Sequence, residues 1–180
     1  MSEPEPRPSP SSIELLVDSD AEAAVRAEWE ALAALGMSSL ARHTSATNRP
    51  HLTLLARVDL ADLDLAPGAF AELAPMPLTL GAPVLFGTGD RRVLARSVVP
   101  TAELLALHAA VHRAAGTGAD APHTAPGEWT PHVTLARRLR LADLPAALDL
   151  LGGDIAAEVV SMRRWDPATA TVTMVGAFRP

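Results

Sequence analysis

The chain has 180 residues, a formal net charge of −6 and no cysteine. A length of this order fits one domain that buries roughly 70% of its unfolded surface, and without cysteine neither disulfides nor thiolate catalysis can contribute. The net negative charge argues against binding of long nucleic acid through counterion release. No apolar run approaches the ~18 residues that span a bilayer and no signal peptide opens the chain, so we expect a cytoplasmic protein.

Apolar periodicity and turn residues predict the elements of both halves. The first half is expected to hold a disordered tail at 1–10, a strand at 12–17, a helix capped by Asp18 or Ser19 and ended by Gly36, a loop at 37–49 and a strand at 51–58. The rest of the chain is expected to hold a short helix within 64–73, strands at 76–80, 83–86 and 92–99, a helix capped by Thr101, a loop at 116–127, a strand at 129–139, a helix at 141–150 and a hairpin of 155–165 with 169–178. Each half combines strands with a helix, which predicts a single α+β domain over residues 11–180, built as a loose duplication.

One short motif occurs in both halves: Pro50-His51-Leu52-Thr53-Leu54 and Pro131-His132-Val133-Thr134-Leu135. Because alternate residues of a strand share a face, each copy directs an imidazole and a hydroxyl to one side and its apolar side chains to the other. Two such strands side by side at the interface between the halves would form a cleft with two imidazoles and two hydroxyls. Such a cleft is equipped for acid–base chemistry on a small anion.

The histidines of the two motifs, His51 and His132, are the candidate catalytic residues. An imidazole with an ordinary pKa near ~6.5 can accept or donate a proton at neutral pH, so one ring can take a proton from water while the other gives one to a leaving oxygen. The hydroxyls of Thr53 and Thr134 can donate to the non-bridging oxygens of a phosphate. One His-x-Thr in a strand is usually structural, whereas a second copy in the matching half favours function. Neither motif has a neighbouring carboxylate or thiol, so no metal or other cofactor is expected.

Candidate residues outside the motifs fall into two groups. His108 and His112 lie on a predicted helix and are expected to be packing or surface residues. His43 and His123 lie in loops that can border the cleft and contact a substrate. Arg163-Arg164 is expected at a solvated strand end, with a smaller chance of lining the cleft.

The paired motifs resemble those of the 2H phosphoesterases, in particular the group known as 2′-5′ RNA ligase-like proteins or RNA 2′,3′-cyclic phosphodiesterases. The resemblance includes Trp129-Thr130-Pro131 before the second motif and Arg137 after it, and the order of elements agrees from Ile13 to Phe178. It implies a bilobal, pseudo-twofold α+β fold in which two antiparallel sheets flank a central cleft, with helices outside. It also implies metal-independent hydrolysis of the 2′,3′-cyclic phosphate of an RNA end or nucleotide to a 2′-phosphate, and it allows the reverse 2′-5′ ligation.

The resemblance further implies a role for each motif residue. His51 is expected to donate a proton to the leaving oxygen and His132 to accept one from water, although the near-symmetry of the pair allows the reverse assignment. Thr53 and Thr134 are expected to hold phosphate oxygens.

A fifth site residue follows the second motif. The resemblance implies that Arg137 supports the phosphate, whereas strict strand alternation puts Arg138 on the face of His132. A β-bulge or the end of the strand would reconcile the two, and we favour Arg137.

The residues leave the substrate class open. Members of the family that process RNA often have an aromatic residue and a glycine after the first motif, where this chain has Leu55-Ala56-Arg57. Tyrosine is absent, so stacking on a base would fall to Trp129, Phe86, His123 or an arginine. Two alternatives to an RNA phosphodiesterase therefore stand, a phosphoesterase for a small non-RNA metabolite and a non-catalytic nucleotide-binding module. The expected partner is a nucleotide or an RNA end with a cyclic phosphate; we expect a monomer, with neither a membrane partner nor an extended nucleic-acid surface.

Overall fold

The computed structural model describes residues 9–58, 60, 70 and 72–178, and the elements named below lie within these ranges. The strands are β1 (Ser11–Val17), β2 (His51–Arg57), β3 (Glu72–Leu73), β4 (Met76–Phe86), β5 (Arg91–Val98), β6 (His132–Arg140), β7 (Ile155–Asp166) and β8 (Thr171–Phe178). The helices are α1 (Ser19–Ala34), α2 (Ala102–Ala115) and α3 (Leu144–Asp149), with 3₁₀ turns at Leu40–Arg42 and Leu141–Asp143.

The strands form one sheet in the order β1-β2-β6-β5-β4-β7-β8-β3. Because β1 also pairs with β7, six of them close into a ring, and β8 and β3 extend outward from β7. Among the described strands only the short β3–β8 pair is parallel. The ring places β2 and β6, the two strands that begin with a motif histidine, next to each other.

Helix α1 combines a side-chain cap with one buried face. The Asp18 carboxylate accepts hydrogen bonds from two backbone N–H groups of the first turn, both at 3.0 Å, which satisfies donors that the helix itself leaves unpaired. Val25, Trp29 and Leu32 follow at helical spacing and are at most 1% exposed. This apolar stripe packs α1 onto the sheet.

Helix α2 begins at the predicted cap, since the hydroxyl of Thr101 accepts a hydrogen bond from the N–H of Leu104 at 3.2 Å. The helix packs against β2, while α1 packs against β6 and β7. The first-half helix therefore lies behind the second motif strand, and the second-half helix lies behind the first. This exchange ties the two halves into one hydrophobic core.

The predicted α+β class is confirmed. The two sheets expected on either side of a cleft are continuous with each other, because β2 pairs with β6 and β1 pairs with β7. The strands predicted at 76–80 and 83–86 form the single strand β4. A shift of register between Leu80 and Pro83 lets the strand continue past the proline, which a regular ladder position would exclude.

Two other boundaries differ from the prediction because of prolines. The helix predicted at 141–150 is α-helical only from Leu144, since Pro145 lacks an N–H and fits only the first turn of a helix. The strand predicted from Trp129 begins at His132, directly after Pro131, which has no N–H to donate to a ladder.

Two predicted segments fall largely outside the described residues. Of the predicted tail at 1–10 the structure describes Ser9 and Pro10, and of the predicted helix within 64–73 it describes Phe70 and Glu72–Leu73, the last two as β3. Within the described part of the chain, no helix has the length and apolar character needed to cross a membrane.

Candidate active site

The two motif strands meet at their central apolar residues. Leu52 of β2 pairs with Val133 of β6 in antiparallel register, and both side chains are 1% exposed. The histidine and the threonine that flank each of them are half-buried, as expected for residues that share the opposite face of a strand. The structure thus brings the two motifs side by side.

Both motif histidines are oriented by the same backbone contact. Nδ1 of His51 lies 2.7 Å from the carbonyl oxygen of Arg49, and Nδ1 of His132 lies 2.7 Å from that of Thr130. A carbonyl oxygen only accepts, so Nδ1 carries a proton and donates it in both rings. The Nε2 atom of each ring is left for proton transfer.

The surroundings of His132 favour its neutral form. Its ring packs against Phe86, with ring centroids 4.4 Å apart, and Phe86 also contacts His123 at 4.9 Å. Burial lowers the pKa of His132; its hydrogen bond to the Thr130 carbonyl raises it, and positive charge on His123 and His51 lowers it further. A neutral imidazole is the form that accepts a proton.

A cleft of about 370 Å³ opens beside β2. Three of the five predicted site residues line it, namely His51, Thr53 and Arg137. His132 and Thr134 are not part of this lining and lie half-buried on the neighbouring strand β6. Residues from the loop before β2 and from the end of β7 complete the wall, among them His43, Thr47, Asn48 and Trp165.

The register of β6 explains how Arg137 reaches the cleft. Between Thr134 and Ala136, β6 advances two residues while the paired segment of β5, from Ala95 to Leu94, advances one, which is a β-bulge. The bulge interrupts strict alternation, and Arg137 and Arg138 are both exposed. A bulge therefore resolves the conflict between strict alternation, which favours Arg138, and the predicted role of Arg137. Arg137 lines the same cleft as His51.

A buried ion pair in the cleft wall was not predicted from the sequence, which favoured a solvated strand end for Arg163 over a place in the cleft lining. Glu14 of β1 and Arg163 of β7 are register partners, line the cleft and are 4% and 5% exposed. Arg163 Nε donates to Glu14 Oε2 at 2.8 Å, and the Ser12 hydroxyl donates to Oε1 at 2.7 Å. The same Oε1 lies 3.6 Å from Nε2 of His51. A glutamate inside an apolar strand was the available signal, but its partner becomes visible only through the pairing of β1 with β7.

Two tryptophans bind the backbone of the motif strands. The indole N–H of Trp29 donates to the carbonyl of Thr134, and that of Trp129 donates to the carbonyl of Thr53, both at 3.0 Å. Each indole thus binds the motif of the other half of the chain. Trp129 also stacks on the buried ring of His108, with centroids 4.0 Å apart. Trp129 is not part of the cleft lining, whereas Trp165, which was not predicted to stack on a base, is.

The two histidines of α2 are packing residues, one of the two outcomes expected from the sequence. His108 and His112 are 4% and 7% exposed, and their Nε2 atoms lie 2.9 and 3.1 Å from the carbonyl oxygens of Thr124 and Leu54. Within the described ranges, no three His, Asp or Glu side chains are grouped as ligands of a metal ion would be.

Comparison with known proteins gives one family match and several structural likenesses. A family model described as the 2′-5′ RNA ligase superfamily matches residues 21–179. No curated protein matches the chain. Escherichia coli LigT in its apo form aligns with a TM-score of 0.56 at 15% identity, over 93% of this chain and 94% of LigT. A protein described as a phosphoesterase aligns with a TM-score of 0.54 at 16% identity, over 96% of this chain and 97% of that one.

A third solved structure, Kluyveromyces marxianus Usb1, aligns with a TM-score of 0.51 at 11% identity, over 94% of this chain and 99% of Usb1. At such identities the structural likenesses concern the fold, and the family model is the stronger finding because it covers most of the sequence. The chain therefore belongs to the 2′-5′ RNA ligase superfamily, whose members are 2H phosphoesterases.

Proposed function

We propose that this protein is a metal-independent phosphodiesterase that hydrolyses the 2′,3′-cyclic phosphate of an RNA end or a nucleotide to a 2′-phosphate, and that the same site can run the reverse 2′-5′ ligation. Membership of the superfamily supports a phosphodiesterase-type activity. The observation that carries the proposal is the pairing of β2 with β6, which sets two backbone-tethered imidazoles on adjacent strands, with His51 in the lining of the cleft and His132 on the neighbouring strand.

The proposed reaction divides proton transfer between the two imidazoles. Neutral His132 accepts a proton from water through Nε2 while the water oxygen forms a bond to phosphorus. The bond between phosphorus and O3′ breaks, and protonated His51 donates its Nε2 proton to O3′, which leaves as a hydroxyl. The phosphate stays on O2′, and exchange of protons with solvent restores both rings. In ligation the two roles reverse.

Three further side chains are proposed to hold the phosphate. The hydroxyls of Thr53 and Thr134 lie on the same strand faces as the imidazoles, and Arg137 extends into the cleft. Each can donate a hydrogen bond to a non-bridging oxygen, where negative charge increases as water attacks. Arg137 also compensates the charge of the anion in a cleft whose other arginine, Arg163, is paired with Glu14.

The test is hydrolysis of a 2′,3′-cyclic mononucleotide in the presence of EDTA, followed by separation of the 2′- and 3′-phosphate products. We expect turnover to the 2′-phosphate in EDTA, and a loss of about 10²–10⁴-fold in kcat for His51→Ala and for His132→Ala. Full activity of both variants, or activity that depends on added metal, would refute the proposal.

A phosphoesterase for a small non-RNA metabolite is the second candidate function. The net charge of −6 and the pairing of Arg163 with Glu14 leave the cleft with few cations for a polyanionic strand. Comparison of kcat/KM for a cyclic mononucleotide and for an oligonucleotide with the same cyclic end separates the candidates: a higher value for the oligonucleotide favours RNA. Binding without turnover of either would indicate a non-catalytic nucleotide-binding module.

A further inference from the structure

The two motif histidines share the same tether but differ in their charged neighbours. Nε2 of His51 faces a carboxylate, the Oε1 atom of Glu14, at 3.6 Å. For His132, no ion pair with a carboxylate occurs within 4.0 Å among the residues that the structure describes. The pseudo-twofold symmetry of the site is therefore broken by one anion.

The Glu14 carboxylate is held in a fixed orientation. It is 4% exposed, and each of its oxygens accepts one short hydrogen bond, from Ser12 at 2.7 Å and from Arg163 at 2.8 Å. The bond from the guanidinium is charge-assisted and therefore among the stronger kinds. Both partners lie on strands of the sheet, Ser12 on β1 and Arg163 on β7, and they hold Oε1 towards the imidazole.

The tether of His51 decides how its ring can meet this carboxylate. Nδ1 already donates its proton to the carbonyl of Arg49. A neutral ring would therefore turn the lone pair of Nε2 towards an anionic oxygen, whereas a protonated ring presents an N–H. We propose that Glu14 is a positioning residue that pairs with the protonated ring of His51 and so makes His51, rather than His132, the proton donor.

The distance suits this role. At 3.6 Å the two groups are within ion-pair range but beyond the length of a strong hydrogen bond. The Nε2 proton is thus stabilised by the charge without being bound tightly to the carboxylate, and it can pass to a leaving oxygen that enters the cleft.

No other anion faces the ring among the described residues. The remaining charged or titratable groups around it come from three elements: Arg163 on β7, Arg137 and His132 on β6, and His43 in the loop before β2. Positive charge on any of these opposes protonation of His51. The carboxylate of Glu14 is the acidic group of the cleft lining and therefore the one there that favours a protonated ring.

The first experiment follows protonation of the imidazole nitrogens by ¹⁵N NMR in the unliganded wild-type protein, with the signals assigned through His51→Ala and His132→Ala. We expect His51 to keep its second proton to a higher pH than His132. The reverse order, or loss of both protons together, overturns the inference. The inference says which histidine donates the proton in the proposed reaction, and it therefore rests on the proposed function. This measurement, however, needs no substrate. A failed titration and a failed activity assay are therefore distinguishable.

The second experiment removes the charge with Glu14→Gln. We expect His51 to lose its proton at lower pH, so the alkaline limb of the kcat/KM profile moves to lower pH and kcat/KM falls at least tenfold more at pH 8 than at pH 6. A merely structural role would lower kcat/KM equally at all pH values, and that result would overturn the inference.

A matched control and a milder variant complete the design. Glu103→Gln removes an exposed carboxylate on α2 and should leave the profile unchanged. If Glu14→Gln does not fold, Glu14→Asp keeps the charge but withdraws it by one methylene, and it should move the alkaline limb in the same direction by less. The proposal would be refuted if the alkaline limb of the kcat/KM profile did not move in a folded Glu14→Asp protein and His51 lost its second proton at a lower pH than His132 in the wild type.

Discussion

At the scale of single residues, the surroundings of each histidine set its chemistry more than the motif does. His51 and His132 have the same neighbours in sequence and the same contact between Nδ1 and a backbone carbonyl. Burial against Phe86 distinguishes His132, and a carboxylate distinguishes His51. The motif therefore supplies two interchangeable imidazoles, and their packing makes them different.

The pH dependence of activity should report the lowered pKa of His132. If this ring accepts the proton from water, protonation inactivates it, so activity falls as the pH drops through the pKa of the folded protein. Because burial lowers that pKa, we expect the acid limb of the kcat/KM profile below the value of about 6.5 for an ordinary imidazole. His123→Gln removes one positive neighbour and should move the limb to higher pH. An acid limb above pH 7 would contradict the assignment.

A pair of adjacent arginines allows a matched test of phosphate binding. Arg137 lines the cleft, whereas Arg138 is exposed elsewhere on the same strand. We expect Arg137→Gln to lower kcat/KM about 10–100-fold, the effect of losing a charged hydrogen-bond donor of roughly 1.5–3 kcal/mol. Arg138→Gln should stay within about twofold of the wild type. Equal effects of the two substitutions would show that only the overall charge matters.

At the scale of elements, the two motif strands are distorted in the same way. The pairing of β1 with β2 shifts register around Leu54, and the pairing of β5 with β6 shifts around Leu135. Both residues directly follow a motif threonine and are fully buried. Each strand therefore changes face just after its histidine and threonine. The His-x-Thr face stays regular, and the residues that follow enter the core.

The indole contacts from the opposite half should matter for catalysis beyond their effect on stability. Trp129→Phe keeps an aromatic ring but removes the hydrogen bond to the Thr53 carbonyl, at a cost of about 1 kcal/mol. We expect a several-fold fall in kcat with little change in KM, because the threonine and histidine of β2 lose their support. Kinetics and urea denaturation at one temperature would measure both effects.

The helix cap of α2 provides the control for that experiment. Thr101→Ala removes a cap bond and destabilises the fold by about 1 kcal/mol, and Thr101 is not part of the cleft lining. It should leave kcat unchanged. If kcat fell equally in Thr101→Ala and Trp129→Phe, the loss of activity would reflect the loss of stability alone, which would contradict the prediction for Trp129.

At the scale of the whole molecule, a buried ion pair joins parts of the chain that are distant in sequence. Glu28 of α1 and Arg96 of β5 are 8% and 1% exposed, and Arg96 Nε donates to Glu28 Oε2 at 2.8 Å. The same guanidinium donates to the carbonyls of Gly81 and Gly152, both at 3.0 Å. One side chain thus fastens a helix, two strands and the segment after α3 to each other.

Removal of one partner of this pair should destabilise the whole fold. Arg96→Met leaves the Glu28 carboxylate buried without its cation, and we expect a loss of about 3–5 kcal/mol in the free energy of unfolding. Glu28→Leu combined with Arg96→Met should recover much of that loss. Urea denaturation of the single and double variants measures it; additive losses in the double variant would show that the pair is not coupled.

Features that depend on neighbours along the chain could be predicted from the sequence. The period of two in a strand puts His51 with Thr53 and His132 with Thr134 on one face, and the caps of α1 and α2 are local hydrogen bonds. These features, with the repetition of the motif, were enough to predict the α+β class and the candidate catalytic residues.

The groups that lie opposite each of these residues follow from the folding of the whole chain. The contact of Glu14 with His51, its pairing with Arg163, and the exchange of Trp29 and Trp129 between the halves all join residues from different strands and helices. Local periodicity does not say which strands become neighbours, nor where a bulge changes the face of a side chain. The sheet closes through the pairing of β1 with β7, and that closure, which comes from packing of the whole core, makes the two similar imidazoles unequal.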